Sequence, residues 1–187
     1  MDQRVLVERA GRGDHDAFSE LVHGAIARLD AAARLILKDP ELARDAVQET
    51  LVRAWRDLPG LRDPDRFDAW IYRITLRSCL ELLRRRRRRP IEVELDPTAD
   101  VPVRDTGSLV VDRDQVDRAL RRLEPGWRAV VVAHYFLGLP LPEVAGMLGI
   151  PLGTAKSRLH RSLAVMRDEL VPESMAEPLE LPRGQTA

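Results

Sequence analysis

Between Pro90 and Val111 the chain reads PIEVELDPTADVPVRDTGSLVV, three prolines among acidic residues with no clean period. Proline removes a backbone donor and clashes with the helical turn before it, so neither a continuous helix nor a central strand runs through such text. The stretch reads as a linker over residues 91–111, and whatever folds must be built from the residues on either side. On both sides apolar residues recur at helical spacing, and no sustained alternation of β-branched residues is present. The expected class is therefore all-α, with two small helical domains, residues 1–90 and 112–170, joined by a flexible acidic linker. Residues 171–187, VPESMAEPLELPRGQTA, are polar and proline-rich and are expected to be disordered.

Two helix starts are well marked. Asp39-Pro40 and Asp63-Pro64 each put a capping carboxylate before a residue shaped for a first helical turn. Helices are predicted near 14–37, 40–58 and 64–88 in the first block, and near 112–123, 125–136, 141–148 and 152–170 in the second. Net charge is zero over the 187 residues, but it is segregated. Residues 62–89 hold ten Arg against four acidic residues, and residues 91–114 hold seven acidic residues against two Arg. The single cysteine, Cys79, excludes an internal disulfide, has no ligand-spaced neighbours for zinc, and is expected to be packed in its helix. The N-terminus lacks a signal-peptide core, and no run approaches the roughly 18 apolar residues of a membrane helix, so a cytoplasmic protein without membrane insertion is expected. His15, His23, His134 and His160 lack metal-ligand spacing, and there is no phosphate-binding glycine loop or nucleophile motif. No catalytic residue, metal or cofactor is expected, and the chain does not read as an enzyme.

The second block carries the sharpest local signal. Leu141, Val144 and Leu148 share one face of a short helix that stops at Gly149, and a second helix resumes after Pro151 with Ala155, Leu159, Leu163, Met166 and Leu170 in one apolar seam. Opposite the seam lie Gly153, Thr154, Ser157, His160 and Arg161, with Lys156 on the flank and no acidic residue from 151 to 167. This is the pattern of a helix-turn-helix whose second helix meets DNA with its N-terminal residues. In the first block, Phe67, Trp70, Ile71, Ile74 and Ser78 form the inward side of the helix after Pro64, while Arg66, Arg73, Arg77, Arg84 and Arg88 make a row beside it. A row of guanidinium groups suits a phosphate backbone. The tract Arg84 to Arg89 continues that row and exceeds what a helix dipole needs, which favours a nucleic-acid arm over a simple C-terminal cap or an import signal. On the helix from 40 to 58, Val47, Leu51, Ala54, Trp55 and Leu58 face inward, and Asp45, Gln48, Glu49, Arg53 and Arg56 make a polar side open to solvent or to a protein partner.

Three stretches in this order, DPELARDAVQETLVRAWRDL, FDAWIYRITLRSCLELLRRRRRR and LEPGWRAVVVAHYFLGLPLPEVAGMLGIPLGTAKSRLHRS, resemble the bacterial extracytoplasmic-function sigma factors of the sigma-70 family over residues 14–170. The resemblance implies a sigma-2-like helical bundle and a sigma-4-like helix-turn-helix. It implies docking of Asp45, Gln48, Glu49 and Arg53 on the β′ clamp helices of core RNA polymerase, with the second domain on the β flap. Arg62, Asp63, Arg66, Arg73, Arg77, Arg84 and Arg88 would open and read the minus-10 element. Gly153, Thr154, Lys156, Ser157, Arg158, His160 and Arg161 would read the minus-35 element, and the acidic linker would thread the polymerase cleft in place of RNA. An anti-sigma factor is a further partner that the resemblance implies, and it or the polymerase is expected to set the relative placement of the domains. Arg77 stands where the family commonly has Asn, Glu81 where it has Asp, Pro140 where a Ser often caps, and Ala155 where Val is usual. A stand-alone helix-turn-helix regulator is the second reading; it leaves the first 90 residues without a role.

Overall fold

A computed structural model describes the backbone of residues 2–88 and 108–170, with side chains described over 2–86 and 114–170. Among the described residues there are helices and no strand: α1 Gln3–Gly11, α2 His15–Leu37, α3 Pro40–Asp57, α4 Phe67–Arg88, α5 Ser108–Arg121, α6 Pro125–Val131, α7 Leu141–Leu148 and α8 Leu152–Leu170. Short 3-10 turns at Leu58–Gly60 and Pro64–Arg66 join α3 to α4, and a π-helical turn at Val132–Phe136 continues α6. Residues 91–107 of the expected linker and the tail 171–187 lie outside the described residues. Residues 108–111, placed in that linker by the sequence, are instead the first turn of α5.

Capping chemistry sets most boundaries. Asp39 accepts from the backbone N–H of Glu41 and Leu42 at the head of α3, and Asp14 accepts from that of Ala17 at the head of α2. Helix α2 ends at Lys38, whose φ of 56° is the left-handed conformation that stops a helix, although Lys38 is not glycine. Helix α7 stops the same way at Gly149, φ 65°, whose N–H reaches back to the carbonyls of Ala145 and Gly146. Pro140 offers no side-chain cap at the head of α7. Helix α1, before the first predicted helix, is capped by Asp2 and buries Leu6, Val7 and Ala10.

The two blocks do not form separate cores. Leu29, Ala32, Ala33 and Ile36 of α2 and Ile71 and Leu76 of α4 belong to one buried cluster with Ala129, Val130, Val132, Ala133, Val144 and Met147 of the second block. Among the described residues the halves pack directly on each other. The cause lies in α2, whose buried residues span about 200° at 100° per residue, twice the width of an ordinary apolar stripe, so it serves two neighbours. A smaller cluster of Ala119, Leu120, Leu123, Val131 and Met166 holds α5, α6 and α8 together.

Arg128 ties the joint. It is only 6% exposed, and its Nε donates to the Ile36 carbonyl at 2.6 Å while Nη1 donates to the carbonyls of Leu120 at 3.3 Å and Leu123 at 3.5 Å. One guanidinium therefore meets the negative C-terminal ends of α2 and α5 together. Burial pushes Arg128 down to about 10, still well above neutral, so the charge is kept.

Cys79 is fully buried, as expected from its helix, and burial pushes its thiol up to about 12. At pH 8 its thiolate fraction is on the order of 10⁻⁴. Iodoacetamide is expected to leave the folded protein unmodified and to alkylate Cys79 only after unfolding, as read by mass spectrometry; rapid labelling of the native protein would contradict the burial.

Candidate nucleic-acid interface

The helix-turn-helix is built as its sequence predicts. Val144 and Ala155 are fully buried, so the seam between α7 and α8 is closed by small and branched side chains. Gly153, Lys156, Ser157, His160 and Arg161 are exposed at the opening of α8, Thr154 is half-buried, and Ser157 Oγ donates to the Thr154 carbonyl at 3.0 Å. Arg158 does not join them. It is half-buried on the other flank, where its Nη1 lies 3.4 Å from the position a Cβ on Gly126 would take, and it lines a cleft of about 260 Å³ with Leu80, Arg84 and Ile150. A step of 100° per residue carries Arg158 past the edge of the face shared by Lys156 and His160.

Along α4, Arg73, Arg77 and Arg84 are exposed as a row, while Phe67 and Ile71 are buried beneath it. Arg66 is exposed but engaged: its Nη2 lies 3.0 Å from Glu143 Oε1 of α7. Arg77 and Arg84 line a cleft of about 310 Å³ whose far wall is Gly146, Met147, Leu148 and Gly149 of the helix-turn-helix. Arg62 and Asp63 are exposed on the loop before α4, and Asp63 accepts from the Asp65 N–H at 3.1 Å, which fixes the turn. The arginine tract is not uniformly splayed. Arg86 is held 2.9 Å from Asp39 at the head of α3, whereas Arg84 and Arg85 are exposed; the side chain of Arg88 lies outside the described residues.

On α3, Asp45, Gln48 and Glu49 are exposed. Arg53 is not a free member of this face: its Nε lies 2.7 Å from Glu49 and its Nη2 2.8 Å from Glu81 of α4. The Arg53 guanidinium holds the Glu81 carboxyl below its ordinary value. Together these groups rim a groove of about 320 Å³ between α3 and α4 that also contains Val52, 65% exposed, and Ser78, whose buried Oγ has no hydrogen-bond partner. Sequence reasoning missed Glu81, Val52 and Ser78 as members of this surface. The apolar Val52 among the polar Gln48, Glu49 and Arg53 is the signal in the sequence that marks it.

Residues 16–89 match the family described as Sigma-70 region 2, and residues 113–166 match Sigma-70, region 4. The chain is 37% identical over 153 residues to the ECF RNA polymerase sigma factor SigM of Mycobacterium tuberculosis, covering 81% of this chain and 76% of that one. The chain belongs to the extracytoplasmic-function sigma factors. It is 34% identical to the RNA polymerase sigma-E factor of Streptomyces avermitilis over 82% of this chain and 84% of that protein. Among solved structures it is similar to CnrH in complex with the cytosolic domain of CnrY, at a TM-score of 0.63 and 30% identity over 90% of this chain and 97% of that one. It shares the fold of the sigma factor RpoE of Bartonella quintana, solved with the anti-sigma factor NepR, at a TM-score of 0.67 and 22% identity over 82% of this chain and 96% of that one.

As a sigma factor of this type it binds core RNA polymerase and directs promoter-specific transcription initiation. Among the described residues no helix is long and apolar enough to cross a membrane.

Proposed function

We propose that three surfaces of this sigma factor divide the work of initiation. The observation that carries the division is their difference in charge and relief: a groove between α3 and α4 rimmed by Asp45, Gln48 and Glu49, an arginine row on α4, and a basic, small-residue opening on α8. Asp45, Gln48 and Glu49 dock on the β′ clamp helices, with Arg53 holding Glu49 in position through its second bond to Glu81. Domain 112–170 meets the β flap. Arg73, Arg77 and Arg84 take the backbone of the minus-10 region, and the loop with Arg62 and Asp63 receives an unstacked base; unstacking costs a few kcal/mol and single-strand capture returns a comparable amount. Lys156, Ser157, His160 and Arg161 face the major groove at the minus-35 element, with Gly153 and Thr154 allowing close approach to the backbone. Arg158 acts on the flank by packing instead of base contact. The protein works in the cytoplasm, without catalytic chemistry of its own. An anti-sigma factor restrains it, a partner class supported by the family and by the CnrH complex.

Single-round transcription by purified core polymerase on a randomised promoter library tests this reading. Discrete starts with two shared upstream elements are expected only when the protein is added. Lys156→Ala and Arg161→Ala are each expected to relax the upstream element at one position, at about 1–3 kcal/mol for a lost bidentate contact, roughly 5- to 150-fold. Starts that do not change on adding the protein would overturn it.

A further inference from the structure

Arg77 and Arg84 of α4 return to within about 20° of one face of the helix, about 10 Å apart along its axis. Both line the cleft of about 310 Å³, and Arg84 also lines the neighbouring cleft of about 260 Å³, where Arg158 of α8 joins it. The two clefts share Leu80, Arg84 and Leu148, so they run together as one channel beside the helix-turn-helix. Other arginines close by have their charge answered within the protein: Arg53 by Glu81, Arg66 by Glu143 and Arg86 by Asp39. Among the described residues Arg77, Arg84 and Arg158 have no ion pair, and Glu81, one turn from Arg77, is already held by Arg53 at 2.8 Å. Three unanswered guanidinium groups along one channel suit an anion that carries several charges.

The walls narrow the class of ligand. Between the cations the lining is apolar, with Leu80 and Leu83 from α4, Leu148 and Ile150 from the turn, and Trp127 at the end away from Arg77. At the Arg77 end Gly146 and Gly149 are exposed and have no side chain to obstruct an approach. The carbonyls of Gly146 and Ala145 that close α7 there accept from the N–H groups of Gly149 and Ile150, so they are not bare acceptors beside an anion. Glu124, exposed in the same turn as Trp127, is the one carboxylate that lines either cleft among the described residues. That placement orients a ligand, with its anionic chain toward Arg77 and Arg84 and a flat ring bearing N–H donors toward Trp127 and Glu124. Sites for small organic molecules start at about 300 Å³, so the two clefts together suit a mononucleotide.

We propose that this channel binds a nucleoside polyphosphate. Arg77 and Arg84 hold the phosphate chain, Arg158 pairs with the phosphate nearest the sugar, and the base lies against Leu148 and Ile150 beside Trp127, with Glu124 accepting from its N–H edge. Binding of the ligand goes beyond the division of work above, whereas its consequence rests on that reading: Arg77 and Arg84 also serve the minus-10 backbone, so bound nucleotide and promoter strand exclude each other.

Isothermal titration calorimetry of the full chain tests the site, without divalent cations and at about 0.15 M salt to screen loose association. Guanosine triphosphate is expected to bind saturably, one per chain, and at least about fivefold tighter than inorganic triphosphate because of the ring contacts. Arg84→Met and Arg158→Met are each expected to weaken it by about tenfold or more. Arg84 is exposed, so its loss carries no folding cost that could mimic lost binding. Arg73→Met removes the same charge from α4 outside the channel and should change the affinity by less than about twofold. No saturable binding, equal binding of the two compounds, or an equal loss from all three variants would overturn the site. Displacement by the nucleotide of a labelled promoter strand from the free protein is then expected; a nucleotide that binds without displacing it would overturn the shared use of Arg77 and Arg84 and leave the site standing.

Discussion

Arg128→Met is expected to lower stability by about 3 kcal/mol, the largest loss from any single polar replacement in this protein. Methionine fills similar space with an unbranched apolar chain, so the loss isolates the guanidinium. Without it the buried carbonyls of Ile36 and Leu123 lose their donor, at about 1–3 kcal/mol each, whereas the Leu120 carbonyl still accepts from the Leu123 N–H at 3.2 Å. The ends of α2 and α5 also lose a cation that offsets their dipoles. Relief of the desolvation that pushes Arg128 down to about 10 recovers part of this, which is why the expectation sits well below the sum of the losses. For a structured body of this size the melting temperature should fall by about 6–12 °C, read by circular dichroism. Arg128→Lys keeps the charge and forfeits the fork, so it should fall between the two. A Met variant within about 1 kcal/mol of the parent would mean that the Arg128 hydrogen bonds do not hold the joint.

The helices and the helix-turn-helix were legible because their signals are local. A capping Asp before Pro, a period of 3.6 and a glycine past a helix end act within one or two turns, and Asp39, Gly149 and the Ala155–Met166 seam sit where those rules put them. What escaped was long-range. Arg128 lies inside the apolar run WRAVVVA, and nothing within that run says that its partners come from Ile36, 92 residues earlier. The fusion of the two blocks was written in α2, in the unusual width of its apolar arc, but the same width fits a helix buried in one domain. The Arg86 pairing is hidden for the opposite reason: a run of identical charges has no internal feature to single out the member that Asp39 captures. Helix α1 is harder to read because it is short, and its signal is a single Asp2 cap ahead of three buried apolar residues.

The second large effect should appear in function with the fold intact. Glu49→Arg places a cation beside Arg53, which keeps its bond to Glu81 at 2.8 Å, so the local cost is one like-charge neighbour on a solvent face, a few tenths of a kcal/mol. The docking cost is of another order. Glu49 is exposed beside Asp45 and Gln48 at the rim of a groove that includes exposed Val52, a surface with apolar area and acceptors. Reversing a charge at the centre of a complementary interface sets like charges against each other at several kcal/mol, so affinity for core polymerase should fall by 100-fold or more. Under the proposed division of work, binding of duplex minus-35 DNA through α8 should be unchanged, and that contrast separates docking from misfolding. A Glu49→Gln variant, which keeps an acceptor for Arg53 without the charge, should lose far less. If Arg and Gln variants bind polymerase equally well, the α3 groove is not the docking surface, and exposed Val52 needs another partner.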